Sequence, residues 1–205
     1  MRLYDFLDSG NGYKVRLLLA HLEIDYEFVE LDILKGETRT PDLLAKNPNG
    51  RIPLLQLDDG TFLSESNAIL YHLSRGSAYW PEDPVHQARV LQWMFFEQYN
   101  HEPSIAVDRF WLHFLEMTDE RRVPIAEKQK AGRAVLKLMD DHLADRSYLV
   151  GDSYSIADIL LYAYSHVADE GGFDLGDYPS VQRWLGRVAQ QPRRLLITDR
   201  PDFQT

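Results

Sequence analysis

Two spacings of apolar residues divide the chain. Near the start the segments are short and mixed. Leu3 to Leu7 predicts a strand, and Ser9-Gly10-Asn11-Gly12 predicts the turn after it. Val15, Leu18, Leu19 and Leu22 then recur at i, i+3, i+4 and i+7, the spacing of one helix face. Tyr26 to Leu31, aromatic and branched, predicts a second strand, and Lys35-Gly36-Glu37 a polar connection. Pro41 suits the first position of a short helix reaching Lys46. Pro53 to Leu57, the turn Asp58-Asp59-Gly60, and Thr61 to Leu63 predict a hairpin. A helix from Ser66 to Ser74 follows, with Ile69, Leu70 and Leu73 inward.

Beyond Pro84 only the helical period remains. It runs over Val85 to Glu116, with a break expected at Pro103, then Ile125 to Leu143, Ile156 to Val167 and Val181 to Ala189. Gly76, Ser77, Pro81, Asp83 and Pro84 cluster between the two regimes. The pattern therefore predicts an α/β domain over residues 1–76, a linker over 77–84 and an all-helical domain over 85–205.

Composition narrows the chemistry. A net charge of -10 argues against nucleic acid, whose phosphates need clustered Lys and Arg. No run approaches the roughly 18 apolar residues of a membrane span. Asp5 so close to Met1 argues against a secretory leader. The cysteine count of 0 removes thiol nucleophiles, CxxC redox pairs, zinc fingers and disulfides together, and a cytoplasmic location fits it. His101 and His113 have no metal-ligand spacing, so no metal is expected.

Four places carry candidate chemistry. Ser9 and Asn11 stand at the start of the first helix, where unpaired N–H groups stabilise anions and depress the pKa of a thiol. Both residue types are also ordinary helix caps. In Asn47-Pro48-Asn49-Gly50-Arg51-Ile52-Pro53 the prolines and glycine demand a bend; a cis Ile52–Pro53 bond would present the Ile52 backbone to an extended ligand, and a plain loop is the alternative. Ser66 opens a helix, where its hydroxyl suits either a carboxylate or a cap, and Glu65 beside it suits an amino group. Ser155-Ile156-Ala157-Asp158 has the spacing of a capping box, which makes Asp158 a structural residue.

Taken in order, Ser9-Gly10-Asn11, Asn47 to Pro53, Glu65-Ser66-Asn67-Ala68-Ile69 and Ser155 to Asp158 resemble the bacterial cytosolic glutathione transferases over essentially the whole chain. The resemblance implies a thioredoxin-like first domain that binds glutathione, a helical second domain and a homodimer. It implies Ser9 as the catalytic serine of a serine-type class, with Asn11 as its neighbour. Lys35 and Arg51 would lie near the glycine carboxylate, Ile52 ahead of cis Pro53 would pair with the cysteinyl unit, and Glu65 and Ser66 would hold the γ-glutamyl end. Tyr4, inside the first strand, ranks below Ser9. The cysteine-type classes are excluded.

The implied reaction transfers the glutathione thiolate to a hydrophobic electrophile, with glutathione as co-substrate and no cofactor. Ser9-Gly10-Asn11 followed by Gly12-Tyr13-Lys14 is also similar to the threonine-and-asparagine turn of the nu-type disulfide reductases. Disulfide reduction or peroxide reduction is therefore an alternative, and a non-enzymatic interaction protein of the same fold is another. The second-substrate pocket is expected in the helical domain, where Trp93, Tyr99, Phe110, Trp111 and Phe114 are aromatic candidates; no single residue is assigned.

Overall fold

A computed structural model describes residues 1–201. The described residues divide into two compact units, residues 1–77 with 192–201, and residues 78–191. The first unit contains β1 (Arg2–Asp5), α1 (Gly10–Leu22), β2 (Glu27–Glu30), α2 (Pro41–Lys46), β3 (Leu54–Gln56), β4 (Phe62–Ser64) and α3 (Ser66–Ser74). The sheet order is β2-β1-β3-β4. β1 runs parallel to β2, with Leu3 opposite Phe28, and antiparallel to β3, with Leu3 opposite Leu55. A parallel neighbour needs a crossover, and α1 is that crossover. Leu3, Leu18, Leu19, Leu54, Leu55, Ile69 and Leu70 are wholly buried and form the core beneath α1 and α3. The expected strand–helix order is the one observed, in a thioredoxin-like arrangement.

One boundary needs correction. Residues 192–201 do not join the helical part expected over 85–205; they return to the first unit. Tyr13 Oη donates to the Leu195 carbonyl at 2.7 Å, and the Arg16 guanidinium donates to the carbonyls of Ile197 at 3.0 Å and Asp199 at 3.3 Å. Ion pairs Arg193–Glu23 and Arg200–Glu30 flank this strap. Helical periodicity ends at Ala189, and nothing in the pattern of a polar tail discloses a buried arginine waiting for its carbonyls.

The second unit holds α4 (Pro84–Phe96), α5 (Val107–Arg109), α6 (Asp119–His142), α7 (Ile156–Ser165) and α8 (Pro179–Ala189). Pro103 does not break the first of these runs. The chain continues from α4 through wide π-helical turns at Glu97–Ala106 and Phe110–Phe114, on either side of α5. The Val107 N–H reaches back five residues to the Glu102 carbonyl. A wider turn accommodates the proline ring that would collide with the preceding turn of a regular α-helix. α6 likewise begins at Asp119, before its expected start, and carries Pro124 inside it.

Asp158 plays the structural part expected of it. The capping box at the start of α7 is complete, with Oδ2 accepting from the Ser155 N–H at 3.0 Å. Oδ1 also accepts from the Leu149 N–H at 3.0 Å and from Trp184 Nε1 at 2.9 Å, tying α7 to α8 and to the loop after α6. Burial pushes this carboxyl up to about 6, against the lowering effect of those donors. α7 is buried on every side, as a central helix should be. A second carboxyl has no such support. Asp108 is fully buried, neither of its oxygens has a hydrogen-bond partner among the described residues, and burial pushes it up to about 7 despite Lys128 and Arg133.

These two carboxyls give opposite expectations. Asp158→Ala strands three buried N–H donors at about 1–3 kcal/mol each, besides the Ser155 hydroxyl, so chemical denaturation should show a loss of about 3 kcal/mol or more. A loss below about 0.5 kcal/mol would mean that Asp158 holds nothing together. Asp108 retains a proton in the native state that the unfolded chain releases, so its contribution falls as pH rises from about 4 to about 7 and is level above that. Asp108→Asn should therefore gain on the wild type across that window in melting temperature. A difference independent of pH would contradict it.

Candidate functional site

The turn after β1 is built against β1 itself. Gly12 lies so close to the Asp5 carboxylate that a Cβ there would sit 1.7 Å from Oδ1. No other residue fits, and this closeness sets the path of the first turn of α1. Ser9 caps that turn: its Oγ accepts from the Gly12 N–H at 3.3 Å, and its carbonyl accepts from the Tyr13 N–H at 2.8 Å. The capping reading is thus realised, and a hydroxyl that accepts still has its own proton to donate. Ser9 is half-buried, at the positive end of the α1 dipole.

Asn11 and Ser66 meet. Asn11 Oδ1 accepts from Ser66 Oγ at 3.1 Å and from Lys14 Nζ at 2.7 Å, while Lys14 Nζ lies 3.4 Å from Ser66 Oγ. Lys14 is fully buried. Sequence reasoning passed over it, although a lysine inside the run Tyr13, Val15, Leu17 and Leu18 is the one charge on an otherwise apolar stretch before Arg16. Ser66 is the first residue of α3 and is buried. Glu65, exposed, precedes it with φ 68 and ψ 110, a conformation that L-residues hold only when their surroundings impose it.

The bend before β3 is held by Asn47. Its Nδ2 donates to the Arg51 carbonyl at 2.8 Å, and its Oδ1 accepts from the Asn49 N–H at 3.2 Å. Gly50 has φ 59 and packs against the Thr38 carbonyl, where a Cβ would come within 3.0 Å. The Ile52–Pro53 bond is cis. Pro53 is buried and Ile52 half-buried, while the Arg51 side chain is exposed. Lys35 is exposed and paired with Asp32 at 2.8 Å, and that carboxylate raises its pKa above the usual lysine value. The structure therefore brings Asn11 together with Ser66, and adds Lys14. Tyr4 lies within β1, its hydroxyl donating to Gln56 Oε1 at 3.3 Å.

In the helical unit two clefts are apolar-floored. One of about 540 Å³ is lined by Trp93, Phe96, Leu138, His142, Arg89 and Arg146 among others. The other, about 610 Å³, is lined by Tyr99, Pro103, Val135 and Lys128 among others. Trp93 and Tyr99 of the expected aromatic set line these clefts. His101 is buried with Nε2 at 2.9 Å from Ser165 Oγ, and His113 lies 3.4 Å from Glu170. Among the described residues no cluster of His, Asp and Glu is arranged to hold a metal, and no helix is long and apolar enough to cross a membrane.

Comparison with known proteins identifies the two domains. Residues 1–75 match the glutathione S-transferase N-terminal domain, and residues 104–192 match the glutathione S-transferase C-terminal domain. A glutathione S-transferase from Pseudomonas fluorescens [Pf-5] superposes with a TM-score of 0.95 at 51% identity, over 97% of this chain and 98% of that one. The disulfide-bond oxidoreductase YfcG of Escherichia coli is 29% identical over 91% of this chain and 89% of its own length. The structure of Ure2p in complex with glutathione superposes with a TM-score of 0.84 at 28% identity, over 94% of this chain and 95% of that one. With both domain models matched in order and a relative of this identity along nearly its full length, the chain belongs to the glutathione S-transferase family.

Proposed function

We propose that this protein binds glutathione in its first unit, stabilises it as the thiolate and transfers it to a small hydrophobic electrophile. The observation that carries the reading is the convergence of Asn11, Lys14 and Ser66 where α1 and α3 begin. Two helix N-termini and a buried ammonium around hydroxyl and amide groups make a site for a ligand with negative charge at more than one point. Ser9 and Asn11 face the thiol in this reading. Ile52 and Pro53 pair with the peptide backbone, Glu65 and Ser66 hold the γ-glutamyl end, and Lys35 and Arg51 meet the glycine carboxylate. Lys35 does so by exchanging Asp32 for the ligand.

The energies are sufficient. A thiol of pKa ~8.5 is only about 3% ionised at pH 7. Lowering that pKa by ~2 units requires about 2.7 kcal/mol of preference for the thiolate. One hydrogen bond from Ser9 to a charged sulfur supplies about 1.5–3 kcal/mol, and the α1 dipole about 0.3–1 kcal/mol. The thiolate then attacks carbon, a carbon–sulfur bond forms, and the leaving group departs with its electron pair. Disulfide reduction is a second reading, favoured by the likeness to YfcG. There the same thiolate displaces one sulfur of a disulfide, and a second glutathione releases the other. The chain has 0 cysteines, so every thiol in either reaction comes from the ligand. A non-enzymatic interaction protein of the same fold is the third reading, favoured by the likeness to the transcriptional regulator URE2 of Saccharomyces cerevisiae.

Calorimetry with glutathione on the folded protein should give low- to sub-millimolar binding, and absence of heat would end the enzymatic readings. Ser9→Ala should raise the pKa of the bound thiol by about 1–2 units, followed by thiolate absorbance against pH. Turnover of a model electrophile at pH 7 should fall about three- to twenty-fivefold, in step with the ionised fraction of the thiol. An unaltered thiol pKa would leave Ser9 as a cap alone.

Assembly as a homodimer belongs to the same reading. In the helical unit Phe95 is 71% exposed, Tyr99 85% and Val123 69%, apolar side chains that a second copy would cover. Sedimentation should show a species of twice the 23.8 kDa chain mass at micromolar concentration. A 23.8 kDa species throughout would exclude it.

A further inference from the structure

Lys14 has no exposed surface, in a stretch of α1 where Tyr13, Val15, Leu17 and Leu18 are equally buried. Lysine is rarely buried so completely unless it is given partners. Its ammonium donates to Asn11 Oδ1 at 2.7 Å and stands 3.4 Å from Ser66 Oγ, and Ser66 Oγ donates to Asn11 Oδ1 at 3.1 Å. The three side chains close a triangle. Two corners lie in the first turns of α1, and the third is the first residue of α3, 55 residues from Asn11.

That geometry has a direction. An amide whose oxygen accepts two bonds from one side turns its NH2 group to the other. A cation on the oxygen also draws electron density out of the amide, which makes its N–H bonds stronger donors. Apolar packing between α1 and α3 sets how far apart the helices lie, but it does not orient an amide about its own bonds. A charged donor at 2.7 Å does.

We propose that Lys14 is a positioning residue for the glutathione thiol: it holds Asn11 with its donor end turned toward the sulfur, and locks that amide to Ser66 at the γ-glutamyl end. The inference rests on the glutathione reading above. Lys14 itself touches neither end of the ligand. It makes Asn11 and Ser66 one unit, so that the two ends of the tripeptide are read at a fixed spacing.

The test is a cycle of Lys14→Met, Asn11→Ala and the double variant, with the pKa of bound glutathione read from thiolate absorbance. Methionine keeps length and apolar bulk while removing charge and donors. Lys14→Met should raise the thiol pKa by about 1 unit, a tenfold loss of thiolate preference. The double variant should match Asn11→Ala alone, because Lys14 acts through Asn11. A merely structural lysine would lower the melting temperature and leave the thiol pKa of the folded fraction unchanged, and that result overturns the proposal. Additive shifts in the double variant also overturn it. Should Lys14→Met not fold, the wild type labelled at lysine Cε gives the answer by NMR. The Lys14 signal should shift on addition of glutathione, and an unshifted signal counts against the role. A wild type that binds no glutathione overturns this inference and the glutathione reading together. One that binds, with the thiol pKa unmoved in Lys14→Met, overturns this inference alone.

Discussion

Arg16 carries five N–H donors and has no exposed surface, so every one of them has to be satisfied from within the first unit. Its Nε donates to Asp5 Oδ2 at 3.1 Å, and its outer nitrogens donate to the carbonyls of Leu7, Ile197 and Asp199. A single side chain thereby joins α1, the end of β1, the turn that follows and the strap at residues 192–201. Burial pushes the Asp5 carboxyl up to about 7 while Arg16 pulls it down. Removing either partner of such a pair leaves the other stranded at about 3–5 kcal/mol. The proposed site hangs on this anchor. Gly12 rests on the Asp5 carboxylate, and the turn bearing Ser9 and Asn11 takes its course from that contact.

How much of this was legible in the sequence follows from which forces leave a local pattern. The order of strands and helices was readable because apolar spacing records which face is buried. The capping box at Ser155 and Asp158 was readable because its two bonds are local. The cis bond at Ile52–Pro53 was one of two openings left by a proline-rich loop, and the structure shows it. Lys14, Arg16 and the strap were not readable. Each depends in part on a distant partner, Ser66 at 52 residues from Lys14 and Ile197 and Asp199 at 181 and 183 from Arg16, and a charged residue in an apolar stretch does not say what will meet it. Pro103 misled for the opposite reason. The local rule was sound, but a π-helical turn offered the backbone another way past the ring.

The buried charges of the two units form a series. Asp158 meets three N–H donors and the Ser155 hydroxyl, and stabilises its unit by tying α7 to α8. Arg16 meets a carboxylate and three carbonyls and organises an entire turn. Asp108 meets no hydrogen-bond donor among the described residues, and holds its proton instead. It lies on the same run as buried Glu97, His101 and Ser104, spaced by three or four residues, so a polar row faces inward along that helix. Burial alone does not decide whether a charge steadies a fold. The supply of hydrogen-bond partners does.

Absence of cysteine shapes the rest. A protein that supplies its own nucleophile must expose a reactive side chain and tune it; this one would receive the nucleophile already attached to a peptide. Under the proposed function its task is to hold a flexible tripeptide at both ends and lower one thiol pKa between them. That favours fixed donors over reactive groups: a cap hydroxyl at Ser9, an amide at Asn11 and the free N–H groups where α3 begins at Ser66, each on a helix start. A mobile surface lysine would add charge without orientation. Lys14, buried beneath the amide it orients, adds both, and it can do so only because α1 is already anchored by Arg16 one half-turn further along the helix.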